Sequence, residues 1–414
     1  MHKLSQPARR YLLHTTLLTF GLAVSALFFN LLLVELGYAE RSVAVPLIGE
    51  LPLLGLLNSM PVLVAGLSSL PLWWLVSKVG PRPALVAGAL LHAIALLGVA
   101  LWPAPLPLLA SVALGGPAAV LFQISAAPYM MRHSGPAERD LLFALSAGLN
   151  IGIGGLGSLV GGFVPGLAAT LFALPPQSAA AYRATFVVAA ILTTLAVLPL
   201  WSSEQPSQGV TPRIRAPQRS LDLRGILRSA RFVVSPLLIS CGAALLIPFL
   251  SLYFRERYGA PDAALGVIFA AVGIATGAAT LIAPLLSRRL GKMGSVVLTQ
   301  ALAIPCLLLL GAAPTLWLAG SVALVRGALM NMAAPLYDAY AMEHTPEPLR
   351  PVVIGLINGA FSVGYIIGPT ISAQIQRTYG FGPIFIATAT FYACAALANA
   401  LIFLRRRADH ANAR

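Results

Sequence analysis

Charge is what this sequence has least of. Only 10% of its 414 residues are charged, against roughly 25% for a soluble globular chain. With 58% hydrophobic residues, a water-facing exterior is excluded, and most of the surface must meet lipid. Acidic residues are scarcer still, 13 against 27 lysines and arginines. That excess does not indicate nucleic acid, because the basic residues fall between apolar runs and match no nucleic-acid module. Cysteine is nearly absent. Cys241, Cys306 and Cys394 each lie inside an apolar run, which argues against a disulfide framework or a metal site and for small packing residues. No glycine-rich phosphate loop with lysine occurs, and no nucleophile, histidine and acid share a catalytic spacing. An enzyme is therefore not expected, nor is a cofactor. With no segment long enough for a nucleotide-binding domain, energy is expected to come from a gradient, or transport is passive.

What the sequence has is long hydrophobic runs. A membrane helix needs about 20 apolar residues. Six runs of that kind precede residue 202, near 11–34, 52–76, 82–102, 106–131, 141–165 and 183–201. Six more follow, near 232–254, 263–286, 294–312, 315–342, 351–376 and 383–404. The first run is too long for a signal-peptide core, so it reads as a retained span. Pro61, Pro128, Pro248 and Pro335 sit inside spans, where a helix bundle tolerates them as bends. Residues 203–231 are a polar linker with six arginines, ending in a basic amphipathic stretch from Leu221 to Phe232 suited to a membrane surface. The chain thus divides into 1–202, a linker 203–231, and 232–414. With the N-terminus inside, 21 basic residues are cytoplasmic and 5 are outside, which predicts both termini in the cytoplasm.

The halves repeat each other. Tyr129, Met131, His133 and Arg139 recur as Tyr340, Met342, His344 and Arg350, all at an offset of 211. Gly55, Gly66, Gly80 and Gly148 match Gly266, Gly277, Gly291 and Gly359 at the same offset. Leu36-Gly37 matches Tyr258-Gly259 at 222, so about 11 extra residues lie near Val43 to Leu53, predicted to extend the first outer loop or span 2. Duplicated halves of hydrophobic helices are the building plan of secondary transporters.

These features resemble the major facilitator superfamily over nearly the whole chain. Leu75, Lys78, Gly80 and Arg82 agree with the family's loop after its second helix, whereas Trp73 and Ser77 replace a glycine and the acidic gate partner. The equivalent loop in the second half reads Arg288-Arg289-Leu290-Gly291-Lys292 and also lacks the acid. An arginine that the family often carries in helix 4 is absent, with Ser111 and Gly115 nearby. Span 5 (Gly148, Gly157, Gly161-Gly162, Pro165-Gly166) is similar to the glycine and proline pattern of drug–proton antiporters, close packing being the plainer reading. The resemblance implies an all-α membrane protein of twelve transmembrane helices in two pseudo-symmetric six-helix halves. It also implies alternating access to a midplane cavity lined by spans 1, 4, 7 and 10.

Polar residues on those spans are the candidate substrate contacts: Arg326, Asn331, Asn30 and Gln123. Asn58, Asn150 and Asn358 on spans 2, 5 and 11 come second. For each amide the alternative is an interhelical hydrogen bond. Arg326 lies near mid-bilayer, where a charge costs at least about 2.5–3.5 kcal/mol unless it meets a cavity or partner. His14 and His92 stand alone, without a second ligand at helical spacing. Candidate gating residues are Arg139, Arg350, Asp338, Glu343, Lys78 and Arg82 on the inner side, and Glu35 with Arg257 on the outer. The expected activity is movement of a small organic solute, with drug or metabolite efflux favoured over organic-anion uptake. A non-transporting sensor or assembly factor is the alternative of another class. Expected partners are that solute, lipid and, left open, a coupling proton or other ion, with a monomer as the functional unit in a prokaryotic cytoplasmic membrane.

Overall fold

The computed structural model describes residues 4–46, 49–201, 225, 227 and 229–404. Within these, twelve helices are long and apolar enough to cross a membrane. They are span 1 (Gln6–Glu35), span 2 (Leu53–Val79), span 3 (Pro81–Leu101), span 4 (Pro105–Arg132), span 5 (Leu141–Leu171) and span 6 (Ala179–Trp201). Then come span 7 (Arg231–Tyr258), span 8 (Asp262–Leu290), span 9 (Lys292–Ala312), span 10 (Leu316–Glu343), span 11 (Glu347–Tyr379) and span 12 (Gly382–Leu404). Apart from one short hairpin, the regular structure of the described residues is helical, and the protein is a multi-pass membrane protein. Half of the amphipathic stretch predicted for Leu221 to Phe232 lies outside the described residues.

Helices run past the apolar core wherever a cap is available. Span 1 begins at Gln6 because the Ser5 hydroxyl accepts from the Ala8 N–H and Pro7 suits the first turn. The span 5 helix starts already at Pro136, where the Glu138 side chain accepts from the Gly135 N–H at 3.2 Å. Span 3 and span 9 are each preceded by a glycine in the left-handed region, Gly80 (φ 89) and Gly291 (φ 74). These two are partners at the 211 offset, and any side chain there would be strained.

Two spans break. Span 1 interrupts its α-helix at Leu27 and Phe28, and span 7 passes through a 3₁₀ turn at Ile247–Phe249, around Pro248. Under the 222 offset the two breaks fall within two residues of each other. Pro61, Pro128 and Pro335, by contrast, sit inside unbroken α-helix.

The chain forms two compact units. The first holds spans 1–6 together with Gly259–Ala270 from the start of span 8. The second holds spans 7–12 together with Ser42–Gly55. Each borrowed segment packs through glycine. In the first unit a Cβ on Gly266 would lie 2.8 Å from Gly162 Cα and 3.0 Å from the Ser158 carbonyl. In the second, a Cβ on Gly55 would strike the backbone of Thr370 and lie 2.7 Å from the Pro369 carbonyl. Ser158 and Pro369 are 211 apart, as are Gly55 and Gly266, so the duplication is visible in packing as well as in sequence.

The extra residues of the first half form neither a plain loop nor a helical extension. They make an antiparallel hairpin, β1 (Ser42–Val45) with β2 (Gly49–Pro52), registered Ser42 to Pro52 and Val45 to Gly49. β-Branched Val43 and Val45 favour the strand, and Gly49 (φ 97) takes a turn conformation closed to other residues. The Arg377 Nη1, at the end of span 11, donates to Ser42 Oγ at 3.0 Å.

Candidate functional site

In the second unit the candidate site is built on span 10. Its buried face reads Ala319, Gly320, Val322, Ala323, Arg326, Gly327, so small residues let neighbouring helices close around one arginine. Arg326 lies ten residues into the helix, about 15 Å along its axis. It is 6% exposed, and its Nε has no hydrogen-bond partner. Tyr392 on span 12 and Tyr365 on span 11 lie near enough to interact with its charge. Among the described residues no carboxylate pairs with it. Asn331, one turn on, spends its amide on its own helix, with Nδ2 donating to the Gly327 carbonyl at 2.9 Å. Asn358 is exposed on span 11.

In the first unit the amides mostly find each other. Asn58 Nδ2 donates to Asn30 Oδ1 at 2.7 Å, and Asn30 Nδ2 returns a longer bond of 3.4 Å. Asn150 accepts from Thr19 Oγ1 at 2.6 Å, joining span 5 to span 1. Gln123 is exposed on span 4. His14, fully buried, meets the Ala196 carbonyl through Nδ1 at 2.7 Å, and His92 bonds its own helix at Gly88. No group of three metal-ligating side chains gathers among the described residues.

The repeated motifs adopt one geometry twice. Tyr129 and His133 approach to 4.2 Å between ring centroids, and Tyr340 and His344 to 4.0 Å. Ser134 Oγ donates to Met130 and Thr345 Oγ1 to Ala341, both at 2.7 Å. Arg139 then donates to the Ser134 carbonyl at 3.2 Å, and Arg350 to those of Met342 and Thr345 at 3.1 and 3.3 Å. Each arginine thus closes the carbonyl end of the helix before it, where a positive charge also meets the helix dipole favourably. Glu343 forms its ion pair with Lys292, not with Arg350. Arg82 donates to the Leu200 carbonyl at 2.8 and 2.6 Å, and Lys78 lies 3.5 Å above the Trp74 ring. Asp338 is exposed on span 10. Glu35 ends span 1 in the first unit and Arg257 lies near the end of span 7 in the second, both exposed.

Glu138 belongs to this end of the first unit. Its carboxylate accepts from the Ser5 N–H at 2.7 Å, which, more than the Gly135 N–H, holds its pKa below the ordinary 4.5. A carboxylate depressed by folding contributes stability that is complete above its unfolded pKa and lost as pH falls through the folded one. Glu138→Gln is therefore expected to melt below the wild type at pH 7. The gap should close as pH is lowered past 4.5, a trend that thermal melts across a pH series will read.

Sequence reasoning weighted amides and charges and missed Tyr365, Tyr392 and Thr19. The i, i+4 spacing of Phe361 and Tyr365, which stack at 5.3 Å, was the available signal.

A profile described as Major Facilitator Superfamily matches residues 11–358 and 235–414. The chain belongs to the Major Facilitator Superfamily. Members of that family are transporters, not enzymes. Among curated relatives it is 27% identical over 247 residues to a multidrug resistance protein MdtG of Citrobacter koseri, covering 56% of this chain and 57% of that one. To MdtG of Escherichia fergusonii it is 26% identical, covering 61% of each chain. The match thus spans less than two thirds of these relatives. Among solved structures, the fold matches a bacterial homologue of the human lysosomal transporter Spinster in an inward-facing conformation. That match has a TM-score of 0.74 at 14% identity and covers 96% and 97% of the two chains. The D323A mutant of the nucleoside transporter NupG matches with a TM-score of 0.76 at 13% identity, covering 96% and 100%. A D-xylose-proton symporter follows at 0.72 and 15%, covering 95% and 96%.

Proposed function

We propose that this transporter exports a small organic solute, a drug or metabolite, across the cytoplasmic membrane. The likeness to multidrug resistance proteins carries the reading of direction. The mechanism is alternating access, with residues 1–202 and 232–414 rocking about a midplane site joined by the 203–231 linker. Both termini lie in the cytoplasm, which agrees with the 21-to-5 distribution of basic residues. Arg326 is the principal substrate contact. The exposed amides Gln123, Asn331 and Asn358 and the Asn30–Asn58 pair are its companions, Asn150 standing behind them. Arg139, Arg350, Glu343, Asp338, Lys78 and Arg82 act at the inner gate and Glu35 with Arg257 at the outer. An ion gradient supplies the work.

Cells expressing the protein are expected to hold less of a fluorescent aromatic dye at steady state than cells without it. A protonophore should erase the difference if protons are the coupling ion. Greater accumulation in expressing cells would reverse the direction and favour uptake.

A further inference from the structure

We infer that the Arg326 site selects aromatic organic anions, molecules that carry a carboxylate on a planar ring. The inference rests on the reading of Arg326 as a substrate contact and names what that contact recognises.

Arginine cannot shed its charge by deprotonating. Arg326 is buried in a membrane span and no described carboxylate neutralises it. The site therefore carries net positive charge, and an anion is the ligand that relieves it. Tyr392, 2% exposed, lies beside the guanidinium, and the Arg326 Nε–H has no hydrogen-bond partner. Nε–H and the neighbouring Nη–H form the side-on fork that receives both oxygens of a carboxylate. Because Nε is itself buried, the ligand reaches it after a shift of the arginine stem, which its length allows.

The neighbouring surface is aromatic. Tyr365 lies near enough to interact with Arg326 and stacks on Phe361 at 5.3 Å, with the rings 26° from parallel. Phe361 is 43% exposed, and in this proposal that face meets the solute. A planar ring joins such a pair in offset stacking, and no aliphatic acid gains the same contact. Charge and aromatic surface together describe an aromatic carboxylate better than a hydrophobic cation, which the guanidinium would repel.

The test uses the purified full-length protein and thermal stabilisation by benzoate, 1-naphthoate, hexanoate and tetraphenylphosphonium, since a ligand of the folded state raises apparent stability. The aromatic acids are expected to stabilise the wild type at concentrations about 2–10-fold below hexanoate, the range that stacking contributes. Phe361→Leu should remove that advantage and leave hexanoate unchanged. Arg326→Gln should weaken all three acids about 10–100-fold. Stabilisation by tetraphenylphosphonium alone, equal in wild type and Arg326→Gln, would overturn the inference while leaving export intact. No response to either aromatic acid would also overturn it. Acid binding without any export in cells would instead count against the export reading.

Discussion

Arg326→Met is expected to abolish transport and at the same time raise the melting temperature. The two effects have one cause. A charge at this depth costs at least about 2.5–3.5 kcal/mol, and a buried charge replaced by an apolar side chain of similar length often leaves a fold more stable. Arg326→Lys separates geometry from charge. Lysine keeps the charge and loses the planar fork, so transport should fall about 10–100-fold with little change in folding. An arginine that only braces helices behaves differently. Its removal would take away interhelical bonds that methionine cannot replace, and stability and transport would fall together. Parallel transport assays and thermal melts of the two variants distinguish these outcomes.

Gly161→Ala is expected to destabilise the first unit by about 1–3 kcal/mol, the usual cost of overpacking. A Cβ at Gly161 meets the backbone of Val24, and one at Gly157 would lie 2.6 Å from Ala23 Cβ and 2.8 Å from the Phe20 carbonyl. Backbone cannot rotate out of the way, so spans 1 and 5 must separate. Gly148 and Gly166 lie on the same helix with open space where a Cβ would go. Alanine there gains helix propensity, roughly 0.8–1.0 kcal/mol in a helix interior, and should be neutral or stabilising. Melts of the three variants test the contrast. Equal behaviour at Gly148 and Gly161 would contradict the packing described. The glycine and proline pattern of span 5 therefore has a packing role at Gly157, Gly161 and Gly162, whatever further part it plays in transport.

The twelve spans were legible because lipid enforces long apolar runs, and the duplication was legible because pseudo-symmetric positions keep similar side chains. The Tyr129–His133 and Tyr340–His344 contacts are that duplication in three dimensions. Span ends were less legible. Ser5 and Glu138 carry helices past the apolar run by capping, which hydropathy does not register. The hairpin at Ser42–Pro52 was hidden by its length: four residues per strand give too little alternation to tell from a loop. At the candidate site, charge marked Arg326 at once. Tyr365 and Tyr392 were invisible because a tyrosine within an apolar span reads as packing until a neighbour gives its hydroxyl or ring a task. The pairing of Asn30 with Asn58 was likewise out of reach, since residues 28 apart on different helices share no periodicity.

Reconstitution tests the central claim, gradient-driven movement of a solute by this chain alone. Purified protein would be placed in liposomes with a fluorescent aromatic substrate on both sides and an imposed pH gradient. Uphill movement of the substrate that stops when an ionophore collapses the gradient is the expected result. Protein-loaded and protein-free liposomes giving the same flux, with or without the gradient, would contradict the account.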